Sequence, residues 1–244
     1  MLTLLRLEIR RMLADKRFLI LMLCLPIFMY LLFTNLFGAG QRAYGLDQNV
    51  SLMVSMAAYG AIGAAFMATA PRIAAERTNG WLRQLKVMPI AAHRVVMAKV
   101  LCAMVWAIPA IALVDLAAVI DHGVRLAAWQ WLGIGGLLWV GTAPFAALGA
   151  FLGYLADESA AFGVMYGIYI FLGAVGGLWM PVDVLPTALR HVAVVLPSNR
   201  FAELGWNLAA AHGPSRPGVA ILVGWLAAFA ALAVAAYRRA NAAR

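Results

Sequence analysis

The chain has 244 residues, of which 65% are hydrophobic and only 12% are charged, and its formal net charge at pH 7 is +9. A typical soluble domain contains about 25% charged residues. This composition therefore excludes an ordinary water-soluble fold for most of the chain, and the length suits one helical membrane unit with no nucleotide-binding domain appended.

The first 17 residues predict a helix that lies in the plane of the membrane surface. Leu2, Leu5, Ile9 and Met12 recur at intervals of three or four residues, and Arg and Lys side chains occupy other sides of the helix. Such a helix lies at the interface with its apolar stripe towards the lipid. A cationic anchor for the following span is an equally good interpretation.

Six apolar stretches, each long enough to cross a bilayer, follow this segment. The clearest, at 18–37, has 20 residues without a charge. At ~1.5 Å per residue this is about 30 Å of helix, the thickness of a hydrocarbon core. The predicted spans are 18–37, 50–70, 96–120, 129–155, 160–180 and 218–237. The sequence therefore predicts an all-α membrane protein with six transmembrane helices.

The cationic residues predict the orientation of these spans. With six spans, 14 of the Lys and Arg residues fall on the side that holds both termini, and five fall on the opposite side. Cytoplasmic segments carry the excess of Lys and Arg in membrane proteins. We therefore expect the N-terminus and the C-terminus to lie in the cytoplasm.

The connection at 71–94 differs from the other loops in its mixture of apolar and cationic residues. Pro71 predicts a break after the second span, and Gly80 permits a tight turn between two short helices. Trp81, Leu82 and Leu85 are apolar residues among cationic ones. This pattern predicts an amphipathic surface that inserts into a groove of a second protein. A helix that merely lies at the interface is the alternative.

Motifs for chemistry or energy conversion are missing from the sequence. It contains no G-x-x-x-x-G-K-[ST] phosphate loop, no H-E-x-x-H and no G-x-S-x-G. The spans hold few ionisable residues, and Asp115 is the main one. It either extends towards the interface or forms a polar point in a substrate cavity. The energy for any transport is therefore expected to come from another subunit.

Two segments carry a resemblance to a known family. The run ERTNGWLRQLKVMP, from Glu76 to Pro89, resembles the cytoplasmic segment of the type-2 ABC exporter permeases. The resemblance implies that this segment is a coupling helix, which sits in a cleft of the ATP-binding subunit, and that the N-terminal helix is the family's connecting helix. The expected ATPase-coupling residues are Glu76, Arg77, Gly80, Trp81, Leu82, Arg83, Leu85 and Pro89.

The second similar segment runs from Gly176 to Arg200 and contains Pro181, Pro186 and Pro197. The family has a glycine-rich span end followed by prolines near the outer face. Proline interrupts helices, and broken helices at membrane depth occur only where protein or a water-filled cavity surrounds them. The sequence therefore predicts short broken helices in an outer re-entrant segment at 181–205.

Spans two and five are expected to face each other and are rich in Met and aromatic residues. Such adaptable side chains suit an apolar or amphipathic substrate, although contact with lipid or helix packing is the alternative. The candidate pathway residues are Met53, Met56, Tyr59, Phe66, Met165, Tyr166 and Tyr169. Three G-x-x-x-G spacings, Gly149–Gly153, Gly163–Gly167 and Gly173–Gly177, favour close helix packing within the subunit or against another one.

The resemblance implies the permease subunit of an ATP-driven ABC exporter in the cell membrane, a class that includes multidrug-resistance transporters. Two ATP-binding subunits would bind ATP and Mg²⁺, while this chain would bind no cofactor, metal or nucleic acid and would catalyse no reaction. A second permease, as a homodimer, and membrane lipid are the other expected partners. The alternatives are an ion-coupled secondary transporter, a non-transporting sensor or immunity subunit, and an intramembrane transferase.

Overall fold

The computed structural model describes residues 16–37, 42–79 and 91–242, and most of them are helical. Of the predicted interfacial helix at 1–17, only the last two residues fall within these ranges. The first half contains α1 (Lys16–Phe37), a hairpin of β1 (Arg42–Ala43) and β2 (Leu46–Asp47), α2 (Gln48–Thr78) and α3 (Ala92–His122). The second half contains α4 (Ala128–Gly141), α5 (Ala143–Leu155), α6 (Glu158–Val175), a 3₁₀ turn (Val182–Val184), α7 (Thr187–Ala193), α8 (Pro197–Ala209) and α9 (Arg216–Ala242).

The apolar helices define a multi-pass membrane protein. Within the described residues, five segments are long and apolar enough to cross a membrane, namely α2, α3, α4 with α5, α6 and α9. Helix α1 covers the predicted first span and contributes a shorter apolar stretch, Cys24–Leu36. The all-α membrane architecture is therefore confirmed, whereas six spans and their orientation stay predictions.

Helix α2 lies at the centre of the bundle. In its most apolar window 89% of the residues are buried, against 28% in α6 and 22% in α9. Small residues allow its neighbours to approach closely: a Cβ at Gly60 would lie 3.2 Å from Cγ of Pro26 in α1 and 3.6 Å from Cβ of Ala110 in α3. Helix association in lipid depends on such close packing, so α2 is the scaffold around which the other spans are arranged.

The predicted break at Pro71 is wrong. Helix α2 continues through Pro71 to Thr78, so the first residues of the 71–94 connection belong to the second span. A proline removes one backbone N–H donor, but membrane helices tolerate this where neighbouring helices surround the backbone. Close contact with α5 does so here, because a Cβ at Gly153 would lie only 2.6 Å from the carbonyl oxygen of Ala70.

The fourth predicted span, at 129–155, is interrupted in its middle. Helix α4 ends at Gly141, and α5 begins at Ala143 with Pro144 in its first turn. The N–H of Thr142 donates to the carbonyl of Trp139 at 3.3 Å, and the Thr142 hydroxyl donates to the carbonyl of Leu138 at 2.7 Å. The hydroxyl therefore satisfies a carbonyl where the regular helical hydrogen bonds stop.

The bundle has two ends, which we call the coupling end and the hairpin end. The coupling end holds the start of α1, the facing ends of α2 and α3, the α5–α6 junction and the end of α9. There, Tyr154 and Tyr237 pack edge to face with ring centroids 5.2 Å apart. The hairpin end holds β1, β2 and the chain from Gly176 to Ser215, including α7 and α8.

Candidate functional site

The connection between α2 and α3 is the predicted coupling site. Its central part, 80–90, lies outside the described residues, and with it the predicted coupling residues Gly80, Trp81, Leu82, Arg83, Leu85 and Pro89. Both of its borders are described: α2 ends at Thr78, and α3 begins at Ala92. The structure therefore shows what holds this connection in place on the bundle.

An ion pair joins the two helices that border the coupling site. Lys99 Nζ in α3 lies 2.5 Å from Glu76 Oε1 in α2, and the two side chains are 13% and 18% exposed. Glu76 thus contacts its own chain, whereas the sequence pattern suggested a residue that positions the surface for a partner. Lys99 was not among the predicted coupling residues. Its position just after the connection and its charge, opposite to that of Glu76, could have indicated this ion pair.

Arg77 connects the same end of α2 to the next pair of helices. Its Nη1 donates to the carbonyl of Ala156 at 2.8 Å and to the carbonyl of Gly153 at 3.4 Å. The last carbonyls of a helix have no intrahelical partner and carry the negative end of the helix dipole. Arg77 therefore caps α5 from α2.

Helix α6 begins immediately after this cap. Asp157 is its N-cap, and its Oδ1 accepts from the N–H of Ala160 at 2.9 Å. A carboxylate is favoured at this position because it satisfies an unpaired N–H and faces the positive end of the dipole. Asp157 therefore stabilises the start of α6, which covers the predicted fifth span.

The candidate pathway residues on α2 and α6 form a packed aromatic cluster. The rings of Tyr59 and Tyr169 stack with centroids 4.0 Å apart, and the Tyr169 hydroxyl donates to the carbonyl of Tyr59 at 3.2 Å. Phe66 meets Tyr169 edge to face at 6.5 Å. Spans two and five thus contact each other, as expected.

Six of the seven pathway candidates are buried inside the subunit. Tyr166 differs, because 43% of its surface is exposed. The buried candidates are Met53, Met56, Tyr59, Phe66, Met165 and Tyr169. These six residues pack helices in this structure, and their role in a substrate pathway stays a prediction.

The three glycine pairs have different surroundings. A Cβ at Gly149 would lie 2.0 Å from Thr69 Oγ1, and one at Gly153 would meet Ile73 at 2.8 Å, so this pair brings α5 against α2. Gly173 faces Tyr59 and Trp179. Among the described residues, nothing lies within 4 Å of a Cβ at Gly163 or Gly167. Two of the pairs therefore contribute packing within the subunit, while Gly163 and Gly167 are exposed on α6.

The three prolines of the predicted re-entrant segment each stand at the start of a short helix. Pro181 precedes the 3₁₀ turn, Pro186 precedes α7, and Pro197 is the first residue of α8. Helix α8 is held against the end of α6, because the Ser198 hydroxyl donates to the carbonyl of Leu172 at 2.9 Å and Asn199 Nδ2 donates to that of Gly176 at 3.1 Å.

Tyr44 fastens the β-hairpin to this segment. Its ring stacks on Trp206 of α8 at 3.8 Å; its hydroxyl donates to the carbonyl of Gly177 at 3.1 Å and accepts from the N–H of Val182 at 3.1 Å. Burial raises the pKa of Tyr44 to about 12. A depression of about 510 Å³ lies beside it, between the hairpin and residues Met180–Val184.

Ionisable side chains are sparse inside the bundle. Asp115 lies in α3 about two turns before its end, and within the described part of the chain its buried Oδ1 has no hydrogen-bond partner. The described residues also contain no group of three His, Cys, Asp or Glu side chains that could hold a metal ion.

Comparison with known proteins identifies the class to which this bundle belongs. The family model described as ABC-2 type transporter matches residues 1–204, so the chain belongs to the ABC-2 type transporter family. A relative from Bacillus subtilis (strain 168), named "Putative transport permease YvfS", is 28% identical over 227 residues. The match covers 91% of this chain and 90% of the relative. The chain is therefore a membrane protein of the transport-permease type.

Proposed function

We propose that this chain is the transmembrane permease subunit of an ATP-driven exporter that moves a hydrophobic or amphipathic small molecule, such as a drug, a natural product or a lipid, out of the cell. The family and the named relative support the transport role. A separate ATP-binding subunit, present twice and holding ATP and Mg²⁺, supplies the energy, because the sequence has no phosphate loop of its own.

The observation that carries this proposal is how the coupling segment is connected to the helices of the bundle. The segment 80–90 mixes apolar anchors with cationic residues, and it joins two long apolar helices whose ends are fastened by the Glu76–Lys99 ion pair. A force applied to the segment therefore reaches α2, the buried centre of the bundle. ATP-driven closure of the partner subunits would pull on this segment and shift the spans between two states.

The complete transporter is proposed to contain two permeases, as a homodimer of this chain, in the cell membrane. Helix α6 supports such an assembly, because Gly163 and Gly167 leave its surface open and Tyr166 beside them is exposed. Small residues allow membrane helices of different subunits to approach closely. The aromatic and Met residues of α2 and α6 would border the substrate pathway in the transporting states.

The coupling site can be tested by replacing its apolar anchors. We expect the double substitution Trp81→Asp with Leu85→Asp to abolish association with the ATP-binding subunit, because buried aromatic and aliphatic anchors carry most of the energy of an interface. Membrane insertion should persist. The measurement is co-purification of an ATP-binding protein with this chain from the cells that produce it.

Val184→Asp is the matched control, because Val184 is an exposed apolar residue at the opposite end of the bundle. It should leave co-purification unchanged. Normal co-purification of the Trp81→Asp, Leu85→Asp variant would contradict the coupling role of this segment.

A further inference from the structure

We infer that Arg77 is a positioning residue that transmits movement of the coupling segment to α6. This role rests on the proposed function and adds a route within the subunit. The proposed function says where force enters, and Arg77 determines which helix moves with α2.

The first step is the place of Arg77 relative to the coupling segment. It lies in the last turn of α2, two residues before the helix ends at its C-cap, Asn79. The neighbouring Glu76 pairs with Lys99 of α3. Consecutive residues of α2 therefore make different connections, Glu76 to α3 and Arg77 to the α5–α6 junction.

The second step is the strength of the Arg77 connection. Its guanidinium bridges the carbonyls of Gly153 and Ala156. Hydrogen bonds from an ionised donor are about twice as strong as neutral ones, and these carbonyls have no partner within their own helix. The connection thus holds the junction to α2 through charge as well as through hydrogen bonds.

The third step is that Ala156 adjoins the start of α6. The next residue, Asp157, is the N-cap of α6, and its carbonyl accepts from the N–H of Ala161 at 2.8 Å. Displacement of Ala156 therefore displaces the first turn of α6 directly. Only 28% of the α6 span is buried, so few contacts within the subunit resist its movement.

The last step is that contacts with other helices hold the far part of α6 in place. Further along the helix, Tyr169 stacks on Tyr59 of α2, and Ser198 and Asn199 hold the far end of α6. A helix held at its far end and pulled at its near end tilts. Gly163 lies between the pulled end and Tyr169, so it would move with the start of α6, and it belongs to the face proposed to meet a second permease.

The experiment uses the full chain in complex with the ATP-binding protein that co-purifies with it, reconstituted in lipid vesicles. Cys24 and Cys102 are replaced by serine, and an environment-sensitive fluorophore is attached either at Gly163→Cys on α6 or at Met97→Cys on α3. Both positions are exposed. The measurement is the change in fluorescence when ATP and vanadate are added, with ATPase activity recorded in parallel.

We expect Arg77→Gln to remove most of the response at position 163 while preserving the response at position 97, since Glu76 pairs with Lys99 of α3 whereas the Arg77 hydrogen bonds lead to the α5–α6 junction. Arg77→Lys retains the charge with a single ammonium group and should give an intermediate response at 163. Arg239→Gln, the same change at an exposed arginine of the coupling end, should leave both responses unchanged. A merely structural loss would reduce both responses together.

A response at position 163 that equals the wild-type response in Arg77→Gln overturns the inference. If the Arg77→Gln variant does not form the complex with the ATP-binding protein, the Arg77→Lys variant provides the test. A reduced response at position 163 with an unchanged response at position 97 supports the role of Arg77. Unchanged responses at both positions overturn it. The labelled complex that retains Arg77 tests the proposed function itself. If this complex has no ATPase activity, or gives no fluorescence response at position 163 or at position 97, the proposed function is contradicted and with it the role of Arg77.

Discussion

At the scale of single residues, glycine and threonine determine how closely α2 and α5 approach each other. The Thr69 hydroxyl donates to the carbonyl of Ala65 at 2.7 Å and is completely buried, so its position is fixed by its own helix. Gly149 of α5 lies against this hydroxyl. Because both partners are short and fixed, neither can move aside for a larger side chain.

Gly149→Val should therefore destabilise the subunit. A Cβ at Gly149 would lie 3.2 Å from Thr69 Cβ as well as 2.0 Å from its Oγ1. Overpacking of this kind costs about 1–3 kcal/mol, and about 2–4 °C of thermal midpoint is lost per kcal/mol in a protein of this size. The measurement is thermal unfolding of the purified protein in detergent.

Gly224→Val in α9 provides the matched control, because the described residues leave open space around a Cβ at this position. The same change of residue type in another transmembrane helix should leave the midpoint nearly constant. Equal losses for both variants would show that the effect arises from valine in a helix and not from contact with Thr69.

At the scale of elements, the β-hairpin and α8 close the hairpin end of the bundle together. Trp206 of α8 donates from its Nε1 to the carbonyl of Ser51 at 3.2 Å, and Tyr44 of the hairpin stacks on its ring. Phe201 of α8 packs against Phe145 of α5 at 5.2 Å. The short helices of this segment are thus anchored by side chains that reach into α2, α5 and α6.

Tyr44→Phe should loosen this closure, because it leaves the carbonyl of Gly177 and the N–H of Val182 without the Tyr44 hydroxyl. Loss of a partner at buried polar groups costs about 1–3 kcal/mol. The expected result is a lower thermal midpoint at neutral pH. Tyr166→Phe, which removes the hydroxyl of a more exposed tyrosine, should change the midpoint little and serves as the control.

The raised pKa of Tyr44 adds a dependence on pH. Burial raises this pKa from 10 to about 12, so the folded protein favours the neutral hydroxyl. Its stabilising contribution is complete below pH 10 and is lost as the pH rises through about 12. The difference in midpoint between wild type and Tyr44→Phe should therefore shrink over this interval, and a constant difference would contradict the assignment.

At the scale of the whole molecule, the distribution of charge predicts the orientation of the bundle in the membrane. With the predicted spans, 14 of the Lys and Arg residues fall on the side of the coupling end, and five fall on the side of the hairpin end. The described cations of the coupling end include Arg72, Arg77, Arg94, Lys99, Arg238 and Arg239. By the positive-inside rule we expect the coupling end to face the cytoplasm, where an ATP-binding subunit would reach it.

Cysteine labelling of intact cells tests this orientation. In a chain with Cys24 and Cys102 replaced by serine, Val184→Cys at the hairpin end should react with a membrane-impermeant maleimide. Arg239→Cys at the coupling end should react only after the membrane is permeabilised. Both side chains are exposed. The reverse pattern would place the coupling segment outside the cell and contradict the proposed function.

Prediction from the sequence succeeded where one physical property dominates. Five of the predicted apolar stretches are helices long enough to cross a membrane, because a backbone in lipid must satisfy its own hydrogen bonds and does so as a helix. It failed at Pro71, where a local rule of helix termination was outweighed by the packing of α5 against α2. The helix-breaking tendency of proline is a local property, whereas its tolerance depends on neighbours distant in the chain.

The sequence by itself determined that this protein is an α-helical membrane protein whose connection between α2 and α3 mixes apolar and cationic residues, because hydrophobic length and charge distribution are properties of the chain. Only the tertiary structure decided that Glu76 pairs with Lys99, that Arg77 caps α5 at its junction with α6, and that Gly149 and Gly153 of α5 meet α2 while Gly163 and Gly167 of α6 stay open. These outcomes depend on which helices become neighbours. Hydrophobic periodicity indicates that a face is apolar, but it does not indicate which other helix that face will meet.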